Sequence, residues 1–419
     1  MKIHQIIMVL GLGFSSILQA ARLTPEQQLG GLLYKDRNLS LNRNQACATC
    51  HAMKALQIGD QIAAGFVDPN NALTGSAVSK GSQPKQFGAL NAPTVGYAAF
   101  SPEFHWSAEK KGYIGGQFWN GRAKNLQEQA KGPFLNPAEM AMPNAWAVIT
   151  RLQENSLYIK AFKDLYAIDL NTIPPYVNNQ PEPPTIAPIY DKLAKAISEF
   201  EKSFVFNKFT AKLDYVFAKK TNLTQQEKFG MDLFRGKARC TTCHTDLFKF
   251  DAKGQPLLPP LFSDFSYHNV GSPRNVTIPN NPYPDLGLGF RDDIREIDPF
   301  GLEIGKHKVI SLRNVAMTPP YYHNGVLKTL EQVVHFYNTR DKLGTVADNT
   351  DSGFGINGWA APEVPKNIDN TIGNLGLTPD EEKAIVAFLK TLTDDYPNWG
   401  KDPLVPPGSV SPYPPIPIP

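Results

Sequence analysis

Cysteine is scarce: the 419-residue chain has four. That excludes a fold stapled together by disulfides. Charge is scarce as well, at 19% Asp, Glu, Lys and Arg, and the net charge is only +3 with no long basic run. Nucleic acid and anionic membrane surfaces are therefore not indicated as partners. After residue 20 no stretch reaches the ~18 consecutive apolar residues of a membrane span, so the chain beyond that point is not read as membrane-spanning. Strand signals are few. The 42% hydrophobic content nevertheless excludes disorder for the bulk of the chain. A chain of this length is expected to form two to three domains at about 150 residues each.

The cysteines that are present are not scattered. They form two runs, Cys47-Ala48-Thr49-Cys50-His51 and Cys240-Thr241-Thr242-Cys243-His244. The surroundings of the runs repeat too. Leu23–Tyr34 aligns without a gap on Leu223–Phe234, at an offset of 200 residues. In each copy a threonine (Thr24, Thr224) can cap a helix, and Gln27 or Glu227 stands three residues later, the capping-box spacing. Apolar positions 29, 32 and 33, and again 229, 233 and 234, recur at helical spacing. A closing helix is expected after each run, roughly Pro188–Val205 and Thr378–Leu392. The unit is helix, CxxCH, long loops, closing helix, used twice. The expected organisation is a signal peptide at 1–20, helical domains at 21–205 and 206–400, and a proline-rich tail at 401–419 that is extended and either packed on the surface or disordered. The signal reading rests on Lys2 and His4, the short apolar stretch Ile6–Phe14 and a candidate cleavage site at Leu18-Gln19-Ala20. It implies export to the periplasm or the cell surface.

A CxxC pair alone could be redox-active or bind zinc. Zinc would need both pairs to converge as four thiolates. Here each pair is followed at once by histidine, in separate repeats. Covalent haem attachment accounts for every part of the pattern: two thiols form thioethers, and His51 or His244 ligates iron from below. The expected fold is thus mainly α, with two cytochrome c-like helical domains, each holding one c-type haem. The second axial ligand distinguishes electron transfer from catalysis. Composition leaves His105, His268, His307, His323, His335 and Met53, Met140, Met142, Met231, Met317 all open.

Two longer signatures narrow the field: Gln117-Phe-Trp-Asn-Gly-Arg-Ala123, and Ser311-Leu-Arg-Asn-Val-Ala-Met-Thr-Pro-Pro-Tyr-Tyr-His-Asn-Gly325. With them the chain resembles the bacterial di-haem cytochrome c peroxidase / MauG superfamily, to about residue 395. The resemblance implies a peroxide-reacting haem on His51 and an electron-transferring haem on His244. It also implies that Gln129 and Glu139 are the distal glutamine and the catalytic glutamate, and that Pro133 shapes the same pocket. Trp119 matches the tryptophan that relays electrons between the haems. Asn91, Thr318 and Pro320 match ligands of a calcium ion between the domains; hard oxygen donors suit that ion.

The departures from the pattern are informative. Classical members often carry a histidine in the loop after the first CxxCH, capping the peroxidatic iron. Residues 52–90 contain none, so that iron should be open without reductive activation; His105, in an extra segment 100–116, is a conceivable substitute. The classical methionine ligand of the second haem stands 14 residues after the motif histidine, and counting from His323 reaches Tyr337. The MauG group has tyrosine there. A phenolate favours ferric and higher states, whereas a thioether favours ferrous. His335 lies about 200° from Tyr337 around a helix, so the two should not serve one iron. Asn120 replaces the usual aspartate, and Lys308 stands where arginine is common.

The implied function is a MauG/MbnH-like enzyme. H2O2 forms a high-valent di-haem state that oxidises a partner protein at long range, with a tryptophan as target and a link to copper binding. The alternative is a cytochrome c peroxidase that reduces H2O2 with electrons from small redox proteins. The third reading is a non-enzymatic di-haem electron carrier.

Overall fold

A computed structural model describes residues 22–54, 56–58, 61–254, 256–281 and 283–418. The expected signal segment lies outside them. About 34% of the chain is helical. Among the described residues the strands form only five two-stranded ladders. The fold is mainly α.

Six helices position the site: α1 (Pro25–Lys35), α2 (Leu126–Leu135), α3 (Ile186–Glu201), α4 (Gln225–Arg235), α5 (Leu330–Thr339) and α6 (Pro379–Lys390). Both leading helices start as the repeat implies. The Thr24 hydroxyl accepts from Gln27 N–H and the Gln27 side chain returns the bond; Thr224 and Glu227 do the same, as do Thr378 and Glu381 on α6. Such caps satisfy donors that the first turn leaves free, each contributing about 1 kcal/mol. The closing helices are slightly shorter than the apolar pattern suggests, ending at Glu201 and Lys390.

α1 packs on α3, and α4 packs on α6. Glycine makes these crossings possible. A Cβ on Gly30 would lie 1.9 Å from Ala196 O, and one on Gly230 would lie 1.8 Å from Ala384 O. The helix backbones therefore touch where a side chain would hold them apart. This close approach rotates the helices relative to the simple apolar reading: Leu29 and Leu33 are buried, but Leu32 and Phe229 face outward, 41% and 46% exposed.

Each helix pair organises its own apolar cluster. One runs from Leu29 to Phe206, the other from Leu213 to Leu392. A third, with Tyr97, Phe100, Phe209, Leu261 and Phe265, lies between them and receives Tyr413, Ile416 and Ile418 of the tail. The tail is thus packed, and Ser409 and Val410 accept hydrogen bonds from the Tyr215 hydroxyl. A buried ion pair of the second half abuts this junction: both Arg313 terminal nitrogens donate to Asp214 at 3.0 Å, and the guanidinium lies against Phe209 and against Tyr97 of the first half. No helix among the described residues is long and apolar enough to cross a membrane.

Candidate active site

Both CxxCH runs fold into a short helical turn closed by the same bond, α-helical at Cys47–Cys50 and 3-10 at Cys240–Thr242. The His51 amide donates to Cys47 O at 2.9 Å, and the His244 amide to Cys240 O at 2.8 Å. Each turn forms one wall of a cavity. The first cavity, of about 510 Å³, is lined by Cys47, Cys50 and His51, and on other sides by Gln129, Pro133, Glu139, Arg122 and Glu201. Gln129 and Pro133 are four apart on α2, which puts them on one face. Glu139 follows α2 in a loop, where Asn136 Nδ2 donates to its Oε1 at 2.8 Å. Burial pushes the Glu139 carboxyl above its ordinary value, with Arg122 and Asn136 opposing. Arg122 in turn stacks on the Phe118 ring, 3.5 Å from its centroid.

The second cavity, of about 200 Å³, is lined by Cys240, Cys243, His244, Tyr337, Ile385 and Leu389 among others. His244 Nδ1 bonds to Phe262 O at 2.9 Å, which turns Nε2 away from that carbonyl. Burial raises the Tyr337 phenol, while a nearby Tyr322 hydroxyl partly offsets that. His335, two residues away, is committed elsewhere: its Nδ1 lies 3.0 Å from Glu382 on α6. Among the described residues no methionine lines this cavity.

One thin wall separates the cavities. Asn91, Ala92, Pro93, Thr94 and Trp119 line both. Trp119 is buried, its indole N–H donates to Asn91 O at 2.8 Å, and its ring meets the His323 ring edge-on at 6.4 Å. Asn91 Nδ2 also reaches Pro320 O at 2.7 Å and Tyr322 O at 3.2 Å. Thr318 is buried close by and lines the second cavity with Pro320. Lys308 N–H donates to Trp119 O; its buried ammonium donates to Gly116 O, and burial pushes it down to about 7.

The donor set fits two covalent haems and argues against the alternatives. All four cysteines are free. Burial pushes Cys50 and Cys240 up to about 12, which disfavours a thiolate nucleophile at either position. Among the described residues no three His, Cys, Asp or Glu converge to hold a metal ion, which removes the four-thiolate zinc site. Burial lowers both His51 and His244, keeping each imidazole neutral as ligation to iron requires. Three buried polar atoms without a hydrogen-bond partner among the described residues (Gln45 Oε1, His51 Nδ1 and Glu201 Oε2) belong to residues lining the first cavity. Native interiors seldom leave such atoms unpaired, which points to a polar occupant. Both volumes are far above the ~30 Å³ share of one water.

The family model described as di-haem cytochrome c peroxidase matches residues 24–222. The methylamine utilization protein MauG of Paracoccus denitrificans (strain Pd 1222) is 37% identical over 374 residues, covering 87% of this chain and 88% of that protein. The chain belongs to the di-haem cytochrome c peroxidase family. As a family member it is a haem-dependent oxidoreductase with two haems. Two solved structures are similar across nearly the whole length. The diheme peroxidase BthA from Burkholderia thailandensis E264 has a TM-score of 0.72 at 27% identity, over 93% of this chain and 91% of that one. A MauG-like protein associated with microbial copper homeostasis has a TM-score of 0.61 at 26% identity, over 92% and 93%.

Within this family member the structure brings the expected residues into two groups. Cys47, Cys50, His51, Gln129, Pro133 and Glu139 share the first cavity; Cys240, Cys243, His244 and Tyr337 share the second; Trp119 lies between. His105 does not join either. It is exposed on a hairpin and its Nδ1 bonds to Glu103 O, so its reading as a substitute ligand is withdrawn. Two contributors were missed in the sequence. Asn136 reads as an ordinary cap residue, and Glu201 as one more acid on an amphipathic helix.

Proposed function

We propose that the protein is a MauG/MbnH-like enzyme that spends H2O2 at the first cavity to oxidise a partner protein reached from the second. Haem bound in each cavity supplies the iron at which peroxide is reduced and oxidising equivalents are held. The chain's own residues do the rest. Gln129 donates to the peroxide and orients it. The Glu139 carboxylate takes the proton from the inner peroxide oxygen and returns it to the outer one, so that water leaves. Asn136 holds Glu139 Oε1, leaving Oε2 for that proton. Trp119 provides an aromatic path across the shared wall. Tyr337 would hold the iron of the second haem through its phenolate, which would disfavour the ferrous state. Asn91, Thr318 and Pro320 would hold calcium beside the wall through oxygen donors. The target is a tryptophan of an exported partner, with copper binding as the setting. Covalent haem attachment and a periplasmic or cell-surface location belong to the same reading.

The observation that carries it is the composition of the second cavity: Tyr337 faces it together with His244, no methionine among the described residues does, and His335 is held by Glu382. The likeness to BthA, a diheme peroxidase, favours the alternative of H2O2 reduction with electrons from small redox proteins. A pure electron carrier is disfavoured by the desolvated Glu139 in the first cavity. The deciding experiment adds stoichiometric H2O2 to the fully oxidised protein and records optical and Mössbauer spectra. Prompt change at both haems supports the proposal. Reaction only after one haem is reduced supports the ordinary peroxidase, and no reaction in any redox state leaves the carrier.

A further inference from the structure

Glu201 is an ionisable group of the first cavity with no part in the scheme above. It ends α3, is 6% exposed, and its Oε2 has no hydrogen-bond partner among the described residues. An unpaired buried carboxyl is costly to a fold, so its presence needs a reason other than packing. The internal repeat shows that packing is not the reason. The glycine crossings set Ala196 of α3 equivalent to Ala384 of α6. One residue on, Ile197 and Ile385 line their respective cavities. Phe200 and Phe388 are both buried. The next position is Glu201 in the first cavity and Leu389 in the second, and both line the space. The scaffold accommodates leucine there, and the peroxide-side copy has an acid instead.

Among the described residues no cation pairs with Glu201. Tyr34 on α1 and Cys47 on the CxxCH turn both feel its negative charge. The Tyr34 hydroxyl is turned to His51 O, at 2.9 Å. Glu139 stands elsewhere in the cavity and answers to Arg122. The nearby lysines are taken: Lys131 of α2 by Asp191, Lys195 by Glu26 and Lys202 by Glu199. Burial alone pushes the Glu201 carboxyl up to about 8. Its protonation is therefore governed by whatever charge the cavity holds.

We propose that Glu201 is the redox-linked proton site of the first cavity: its carboxylate binds one proton from solvent when the iron site there gains one electron, and releases it when that electron leaves. Charge balances as one electron and one proton in, and both out; no other bond changes. In a low-dielectric cavity an uncompensated charge is expensive, and a proton on Glu201 cancels it at short range. This inference rests on reading the first cavity as a haem site.

The test is a redox titration of the two-haem protein, followed optically from about pH 5.5 to about pH 9, in wild type, Glu201→Gln and Glu201→Leu. The pH range brackets a carboxyl raised by burial. In wild type the potential of the peroxide-reactive haem should fall with pH, approaching a tenfold loss of electron affinity per pH unit, 59 mV for one electron. Both variants should lose the slope and stay at the wild type's low-pH potential, because neither can acquire the negative charge that favours the oxidised state. Glu201→Asp should keep a slope. The proposal is overturned if Glu201→Gln and Glu201→Leu retain the wild-type slope, or if Glu139→Gln abolishes it instead. A haem stain on a denaturing gel separates the two levels of failure. Absence of haem on a Cys47/Cys50 fragment overturns the cavity reading itself, whereas attached haem with an unchanged slope overturns only the role of Glu201.

Discussion

Replacing Glu139 by Gln removes the proton acceptor of the first cavity while keeping its shape. Asn136 Nδ2 donates to Glu139 Oε1 at 2.8 Å, and Asn136 is itself held by the Ala138 amide at 3.0 Å. A glutamine can keep that accepted bond and present an amide where Oε2 was. The amide cannot take the peroxide proton. General acid–base catalysis is worth about 10²- to 10⁴-fold, which is roughly 3–5 kcal/mol in the barrier at 1.36 kcal/mol per tenfold. Stability should move the other way or not at all. Burial holds the Glu139 carboxyl above its unfolded value. Such a group contributes stability that is fully present below the unfolded pKa, near 4.3, and is lost as pH rises through the folded pKa. At neutral pH Glu139→Gln therefore removes a destabilising charge. The assay is stopped-flow reaction of the oxidised protein with H2O2 across pH, beside thermal unfolding. The wild-type rate should rise with pH along a limb set above the ordinary carboxylate range; the variant should be slow and flat. Asn136→Ala, which removes a bond to the ionised form, should move the limb to higher pH. A Glu139→Gln rate within about threefold of wild type, or an unchanged limb, would refute the assignment.

Other outcomes follow from the geometry. Tyr337→Met should raise the potential of the second haem and abolish partner oxidation while the first cavity still consumes peroxide; a spectroelectrochemical titration reads the shift, and an unchanged potential would mean that Tyr337 is not a ligand. Gly230→Ala puts a Cβ 1.8 Å from Ala384 O, so α4 and α6 must part. The overpacking cost of about 1–3 kcal/mol outweighs the ~1 kcal/mol gained by removing a helical glycine, and thermal unfolding should shift down. Asp214→Ala leaves the Arg313 guanidinium buried and unpaired; about 3–5 kcal/mol should be lost in denaturant unfolding. If Asn91, Thr318 and Pro320 hold calcium, a chelator should lower thermal stability and slow electron exchange between the haems, and Asn91→Ala should make the protein insensitive to it.

The parts of this protein legible in its sequence are those governed by residues a few positions apart. A threonine with a glutamine or glutamate three residues on carries the capping-box signal in the local sequence, so Thr24, Thr224 and Thr378 announced their helices. CxxCH places two thiols and an imidazole on one turn, so both cofactor anchors were readable at once. The counting argument that set Tyr337 apart from His335 is also local, since helical geometry separates them whatever surrounds the helix. The pairing of Glu139 with Asn136 is local too, but nothing in the residues marks that asparagine as other than a cap.

Burial and convergence belong to the tertiary structure. Leu32 and Phe229 carry the right spacing for a core face yet point outward, because Gly30 and Gly230 let the partner backbones in from another direction. Glu201 stands between Phe200 and Lys202 and reads as a solvated acid; only the packing of α3 against α1 and α2 and the segments around its end strips its water. Trp119 belongs to both cavities because segments around residues 91, 119 and 320 meet at one wall, a contact that no spacing encodes. Hydrogen-bond caps are settled within one turn of chain, whereas desolvation is set by everything that packs around a group, and that is decided only when distant segments come together.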